Sequence, residues 1–476
     1  MRSDVTPTPK YRTLATHVMQ AIEQGVLRPG QRLPSVRDWA QRFGVSHNTA
    51  LQAMRTLEDE LWVSPRARSG FYVRARPEPA RLKAPRLDVP PLEPTAVTLD
   101  WYAQRLLGSH AREGVVTFGT GTPDAQLLAP ERVRTALHQA VTRNAASLTV
   151  YPHETGAPVL QHALARFALD LGCVLPPEDI VITQGCIDAI ACALRVCTQP
   201  GDVVAIESPA HFSFLELLQS LGLRALEVPT HASHGMSLDA LQLALDTHPI
   251  KAVLVVPTLQ NPLGSCMPPS QRKRLAQMAS THDVAVIEDA VYNEWADDDA
   301  HRRTVKAHDR SGHVMLCHSF TKTLAPGLRL GWLHAGRWTD AVRTLRDKQM
   351  GAPTTVLQLA LAQLIGHSHA AHMRQLRQKT SARLREARGL IARHFPKGTR
   401  LSNPSGGLLL WLQLPPDVDA ERFEARCLAE GVLAPPGRFF SLTGRYEGCY
   451  RIALGAWSDA HRQGLIRMGQ LAHDPA

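Results

Sequence analysis

The chain has 476 residues, 44% of them hydrophobic, with 53 Lys and Arg against 43 Asp and Glu and a net charge of +10. That length exceeds one small core and predicts two or three domains, and the composition excludes disordered and fibrous classes. No apolar run approaches the roughly 18 residues that cross a bilayer, and the opening MRSDVTPTPK lacks a secretory apolar region, so a cytoplasmic protein without a membrane partner is expected.

Eight cysteines, at 173, 186, 192, 197, 266, 317, 427 and 449, form no CxxC pair and read as reduced, mostly buried thiols. Neither they nor the 22 histidines have metal-ligand spacing, and no metal is expected. The positive charge is uneven: residues 1–76 hold 12 Lys and Arg against six Asp and Glu, which suggests a polyanionic partner.

YRTLATHVMQAIEQGVLRPG predicts a helix with Leu14, Val18, Ala21 and Ile22 on one face. SVRDWAQRF predicts a second, with Val36, Trp39, Ala40 and Phe43 in register, and SHNTALQAMRTLEDE a third behind the N-cap Ser46. The last two, separated by Gly44-Val45, form a helix-turn-helix candidate. In that geometry the start of the third helix, from Ser46 through His47, Asn48 and Thr49, faces the DNA major groove, with Arg37 near a phosphate. WVSPRARSGFYV adds two short strands, Trp62-Val63 and Phe71-Val73, around a tip bearing Arg66 and Arg68, which makes the arrangement a winged helix.

GVLRPGQRLPSVRDWAQRFGVSHNTALQAMRTLEDE resembles the GntR family of bacterial transcription regulators, with PG-x-x-LPS-x-R followed by GVS-x-NT. The resemblance implies binding to double-stranded DNA. His47 stands where that family often has arginine, and Leu61 where a glycine commonly ends the recognition helix.

Six prolines between Pro77 and Pro94 predict an extended, semi-stiff tether, so the first domain is expected to span 1–76 and the linker 77–112. From 113 to 476, DIVIT, DVVAIE, AVLVVP, VAVIED, HVMLCHS and LGWLHAG alternate with helical stretches. Runs that are apolar at nearly every position suit strands buried on both faces, and the helices between them imply parallel connections, an α/β fold. Such a sheet binds its ligand at the C-terminal ends of its strands.

Those ends carry Gly185-Cys186-Ile187, Asn261, Asp289 with Tyr292, and Ser319, Thr321 and Lys322 followed by Arg329. Pyridoxal phosphate accounts for the set, because each of its polar groups needs a partner. Lys322 is the amine for a Schiff base with the aldehyde, and Asp289 the carboxylate for the pyridine nitrogen. Asn261 and Tyr292 are donors to the phenolic oxygen. Ser319, Thr321, Arg329 and the backbone of the Gly185 turn suit the phosphate.

QNPLG, EDAVY and SFTKTLAPGLRLGW resemble the fold type I aminotransferases. That resemblance implies a large, mostly parallel sheet with helices on both faces, and a small C-terminal α+β subdomain from about residue 350. It implies that Arg451 binds a substrate carboxylate, alongside Asn261, and that Tyr151 reaches the cofactor phosphate of the neighbouring subunit in a homodimer. His211, where the family usually offers Tyr or Phe, would stack on the ring with Phe212 beside it, and would titrate near neutrality. Gln161 and Ile187 replace more usual polar residues.

The fusion resembles the MocR-type regulators, in which a GntR-like winged helix precedes an aminotransferase-like domain. The resemblance implies a DNA-binding regulator that senses an amino compound, or pyridoxal phosphate itself, and reads an operator with paired half-sites. A working aminotransferase acting on an α-amino acid, with a secondary DNA-binding domain, is the alternative.

Overall fold

The computed structural model describes residues 10–23, 26–59, 62–66, 70–74, 82–97, 114–125, 127–152, 155–350, 353–366 and 368–473. It divides into two units, Met1–Arg81 and Leu82–Ala476. Among the described residues no helix is long and apolar enough to cross a membrane.

The first unit holds α1 (Lys10–Glu23), α2 (Val36–Arg42) and α3 (His47–Asp59), then a hairpin of β1 (Val63–Arg66) and β2 (Gly70–Val73). Ser35 begins α2 with a reciprocal capping box to Asp38. Ser46 Oγ accepts the Thr49 N–H at 3.1 Å and begins α3. The helical periodicity of the sequence resolves into one core, in which Leu14, Val18, Trp39, Ala50, Met54 and Leu57 meet Trp62 and Val73 of the hairpin.

The second unit contributes β3 (Thr95–Ala96), β4 (Val116–Thr117), β5 (Ile180–Thr183), β6 (Val203–Ser208), β7 (Arg224–His231) and β8 (Gly235–Met236). There follow β9 (Ile250–Val255), β10 (Ala285–Asp289), β11 (Val314–Ser319) and β12 (Gly331–His334). The main sheet runs β3-β7-β6-β9-β10-β11-β12-β5, with β8 paired to β7. Neighbours from β7 through β11 are parallel, whereas β12 is antiparallel to both β11 and β5. Every residue of β5, β6, β10, β11 and β12 is buried, as expected of strands covered on both faces. The ends of β5, β6, β9, β10 and β11 therefore lie along one edge, and the start of antiparallel β12 returns the chain to it.

A second, antiparallel sheet orders β13 (Arg400–Leu401), β14 (Leu409–Gln413) and β16 (Cys449–Ala453), packed under the helices His369–His394 and Asp459–Leu471. Its neighbour β15 (Val432–Leu433) pairs in parallel with β4, more than 300 residues earlier, so the small subdomain is discontinuous in sequence. The eight thiols are mostly buried and form no disulfide.

The Pro-rich stretch departs from a free tether. Residues 82–97 lie along the second unit: Leu401 N–H donates to Lys83 O at 3.0 Å, Arg86 N–H to Gln413 at 2.8 Å, and Arg224 to Pro94 O at 2.8 Å. Proline removes donors but leaves carbonyls, so most of the segment is held by groups reaching up to its oxygens, and only Thr95–Ala96 adds a ladder at the sheet edge.

Leu57 is fully buried in the first unit. Leu57→Ala should destabilise that unit by about 2–5 kcal/mol, measured as faster hydrogen exchange across α1, α2 and α3 with the main sheet unaffected.

Candidate functional site

The strand-end rule brings most of the expected residues together. Lys322 follows the end of β11, and its half-buried Nζ donates to Thr122 Oγ1 at 3.0 Å. Burial lowers its pKa to about 8, helped by the positive charges of Arg451 and Arg329 and opposed by Asp289. A substantial fraction of the amine is therefore unprotonated near neutrality, as a nucleophile for a carbonyl requires.

Asp289 ends β10. Cys186 Sγ donates to its Oδ1 at 3.1 Å and Val291 N–H to the same oxygen at 3.0 Å, so among the described residues no donor meets Oδ2. Burial raises its pKa, which those two hydrogen bonds and the Lys322 charge oppose. A carboxylate with one oxygen braced and the other open suits a protonated ring nitrogen.

Arg451 comes from β16 of the small sheet and is 1% exposed. Its guanidinium donates to Asn261 Oδ1 at 3.2 Å and to the Gly119 carbonyl, and lies between the rings of Phe212 and Phe440, at 5.6 and 5.2 Å. Nε has no partner, and among the described residues no carboxylate pairs with the group. Burial lowers its pKa to about 10, which still leaves a full cation at neutral pH. Asn261 also meets the hydroxyl of Tyr292, which burial keeps protonated, so the two expected donors sit next to the arginine.

The residues expected at a phosphate lie where β5 turns into the helix Cys186–Cys197. Gly185 takes φ +91°, and Arg329, itself at φ +50°, donates to Gln184 O at 3.3 Å. A Cβ on Gly185 would lie 3.0 Å from the Arg329 guanidinium, and one on Gly331 would lie 2.5 Å from the Gly185 carbonyl carbon, so both positions need glycine. Gly185 offers no side-chain cap, which leaves the first N–H groups of the helix, those of Cys186 and Ile187 among them, to an outside acceptor. Ser319 Oγ donates to Thr321 Oγ1 at 3.2 Å beside them.

His211 stacks on Phe212 with ring centroids 4.5 Å apart. Its expected titration near neutrality does not hold, because burial and then the charges of Arg451 and Lys322 push its pKa well below the usual value. The neutral ring is the better stacking surface. Gln161 serves the backbone, donating to Ile180 O at 2.8 Å, and Ile187 is partly exposed on the helix. Tyr151 is 99% exposed and is not gathered with the other residues in its own chain. Thr122 carries no signal in the sequence: it lies in a loop leaving β4, outside the strand ends of the main sheet.

In the first unit, His47, Asn48 and Arg37 are exposed. Ser46 and Thr49 are tied to each other, hydroxyl to hydroxyl at 2.8 Å, at the helix start. Arg66 lies over the Tyr72 ring at 4.3 Å on the hairpin. Arg68 and Leu61 fall outside the described residues.

Residues 113–467 match the family described as aminotransferase class I and II, and residues 10–73 the gntR family of bacterial regulatory proteins. The chain is 34% identical over 467 residues to "Uncharacterized HTH-type transcriptional regulator YjiR" of Escherichia coli (strain K12), covering 98% of this chain and 99% of that one. It is 25% identical over 469 residues to "Probable rhizopine catabolism regulatory protein MocR" of Rhizobium meliloti, covering 96% and 92%. Among solved structures it is similar to LysN, an alpha-aminoadipate aminotransferase from Thermus thermophilus complexed with N-(5'-phosphopyridoxyl)-L-leucine, at TM-score 0.71 and 25% identity, with 79% and 95% of the two chains covered.

The lowered pKa of Lys322 sets the pH dependence of cofactor capture. The neutral amine grows as pH rises through about 8, so the rate of borohydride-trappable attachment of pyridoxal phosphate should climb between pH 7 and 9 and then level off. The rise should be roughly tenfold, and stopped-flow absorbance of the cofactor measures it.

Proposed function

We propose, because the chain belongs to the class I and II aminotransferase family through residues 113–467 and to the gntR family of bacterial regulatory proteins through residues 10–73, the pairing of the MocR-type regulators, that it is a DNA-binding transcription regulator whose pyridoxal phosphate domain senses an amino acid. The observation that carries the choice of ligand is Arg451, a buried cation with no carboxylate paired to it among the described residues, whose charge is felt by Lys322.

Pyridoxal phosphate supplies, when bound, an aldehyde that condenses with amines and a ring that withdraws electrons. Lys322 Nζ would hold it covalently, Asp289 would keep its ring nitrogen protonated, and Asn261 and Tyr292 would serve its phenolic oxygen. Ser319, Thr321, Arg329 and the N–H groups of Gly185, Cys186 and Ile187 would hold the phosphate, and His211 would stack on the ring. Arg451 grips the carboxylate of the amino acid, with Asn261 orienting the guanidinium. Tyr151 completes the phosphate site of a second subunit in a homodimer, which fits its exposure and a DNA operator with two half-sites.

The domains on this reading are a winged helix at 1–76, a linker at 77–112 whose residues 82–97 are fastened to the sensory unit, and that unit at 113–476. His47, Asn48, Arg37, Arg66 and Arg68 make the DNA contacts, with Ser46 and Thr49 fixing the start of the reading helix. A ligand shifts DNA affinity by its preference between two states of the protein, typically about 5- to 150-fold. The depressed pKa of Lys322 also favours a second reading, a transaminase half-reaction, since a neutral amine is the base that would move a proton at the substrate carbon.

Fluorescence anisotropy with the DNA upstream of the protein's own coding sequence, with and without pyridoxal phosphate and a panel of amino acids, tests the regulator reading. A ligand-dependent shift within that range is expected, and Lys322→Ala should abolish both the shift and the borohydride adduct. Absence of specific DNA binding in every condition would refute it; conversion to the pyridoxamine form with turnover by a keto acid would favour the enzyme. In the same assay Arg37→Ala should weaken all sequences alike and lower the salt slope by about one, while His47→Ala should alter sequence preference.

A further inference from the structure

The hydrogen bond from Lys322 Nζ to Thr122 Oγ1, at 3.0 Å, joins the reactive lysine to a segment that belongs to the small sheet. Phe118 N–H donates to Leu433 O at 2.7 Å, Ala453 N–H to Phe118 O at 3.0 Å, and Asp124 N–H to Gly455 O at 3.0 Å. The Asp124 carboxylate accepts from Arg383 at 3.1 Å, and Gly119 O accepts from Arg451. Gly455 lets the Thr122 carbonyl approach so closely that any Cβ there would overlap it. Thr122 is thus held from both sides by the subdomain that carries Arg451, with its hydroxyl delivered to the lysine on the other.

A free lysine amine offers N–H donors and needs an acceptor once it is buried. Asp289 acts on Lys322 through charge without a hydrogen bond to Nζ, and among the described residues Thr122 supplies the acceptor. When Nζ is bonded to the cofactor it retains at most one N–H, so the contact with Thr122 belongs to the released state.

We propose that Thr122 is the acceptor that holds the Lys322 amine after an incoming amine has displaced it, and that this contact sets how readily displacement occurs. The inference rests on the reading of Lys322 as the cofactor-bearing lysine. In the exchange, the carbon–nitrogen double bond to Nζ breaks and one to the incoming nitrogen forms. The incoming ammonium gives up two protons and Lys322 leaves as an ammonium that has gained two, so charge balances and nothing is oxidised. The departing ammonium is the group that Thr122 receives. Displacement by a ligand therefore creates one bond between the end of β11 and the segment laced to the small sheet.

The test uses the full-length protein loaded with pyridoxal phosphate and titrated with 2-methylalanine, whose α-carbon has no hydrogen to lose, while the cofactor absorption is followed. Thr122→Val should need about tenfold more 2-methylalanine for half-displacement, and Thr122→Ser should return within about twofold of the original. In cofactor-free protein, Thr122→Val should also move the pH midpoint of pyridoxal phosphate capture downward, because an ammonium without its acceptor loses its proton more easily, whereas Thr122→Ser should not. Thermal unfolding of both variants reports whether the fold is intact. Unchanged titration in Thr122→Val, or equal impairment in Thr122→Ser and Thr122→Val, would overturn the proposal. Absence of covalent cofactor in the unaltered protein would sink the cofactor reading and this inference together. A normal Thr122 effect without any DNA response would leave the inference standing and remove only the regulator.

Discussion

A positive charge that is 1% exposed and, among the described residues, lacks an anionic partner is the constraint on which the site is built. Isolated burial of a charge costs several kcal/mol even after relaxation. The protein keeps Arg451 charged by supplying the Asn261 and Gly119 oxygens and two aromatic faces, and leaves Nε unmet. An arrangement of that kind is stabilised when an anion arrives. The same charge acts at a distance: it helps depress the Lys322 amine and keeps His211 neutral, so carboxylate recognition and cofactor chemistry share one electrostatic field.

The sheet topology makes such sharing unavoidable. Parallel strands β6, β9, β10 and β11 end on one edge, and the reversal of β12 returns Arg329 to the Gly185 turn at the end of β5. Close packing of Gly331 on Gly185 fixes that junction without side chains, leaving room for an anion against free backbone N–H groups. The groups that would hold the cofactor thus arrive from several strand ends, and rigidity comes from the ladders rather than from the loops.

Strands buried on both faces were readable because they are apolar at nearly every position, and Lys322, Asp289, Asn261 and Arg329 were readable because the chemistry of one cofactor explains all four. Thr122 was not, since it reaches the site from a loop that belongs to the other sheet, where no strand-end rule applies. Nor was the neutrality of His211, which depends first on burial and then on two cations distant in sequence. Composition suggested an extended, semi-stiff tether in the Pro-rich stretch but did not reveal its fastening, in which its carbonyls accept bonds from Leu401, Arg224 and His248. Ser46 was legible as a helix start, but its hydrogen bond to Thr49 depends on side-chain geometry that spacing does not reveal.

The first fastened residues after the winged helix, Lys83 and Arg86, are moored to β13 and β14, and β14 is the immediate neighbour of the strand that carries Arg451. The strand Thr95–Ala96 then moors the same chain to the main sheet, and β4 returns it to the small one. The polypeptide leaving the DNA-binding module is therefore sewn across the gap between the two sheets in three stitches. Any sliding of one sheet against the other draws on that thread.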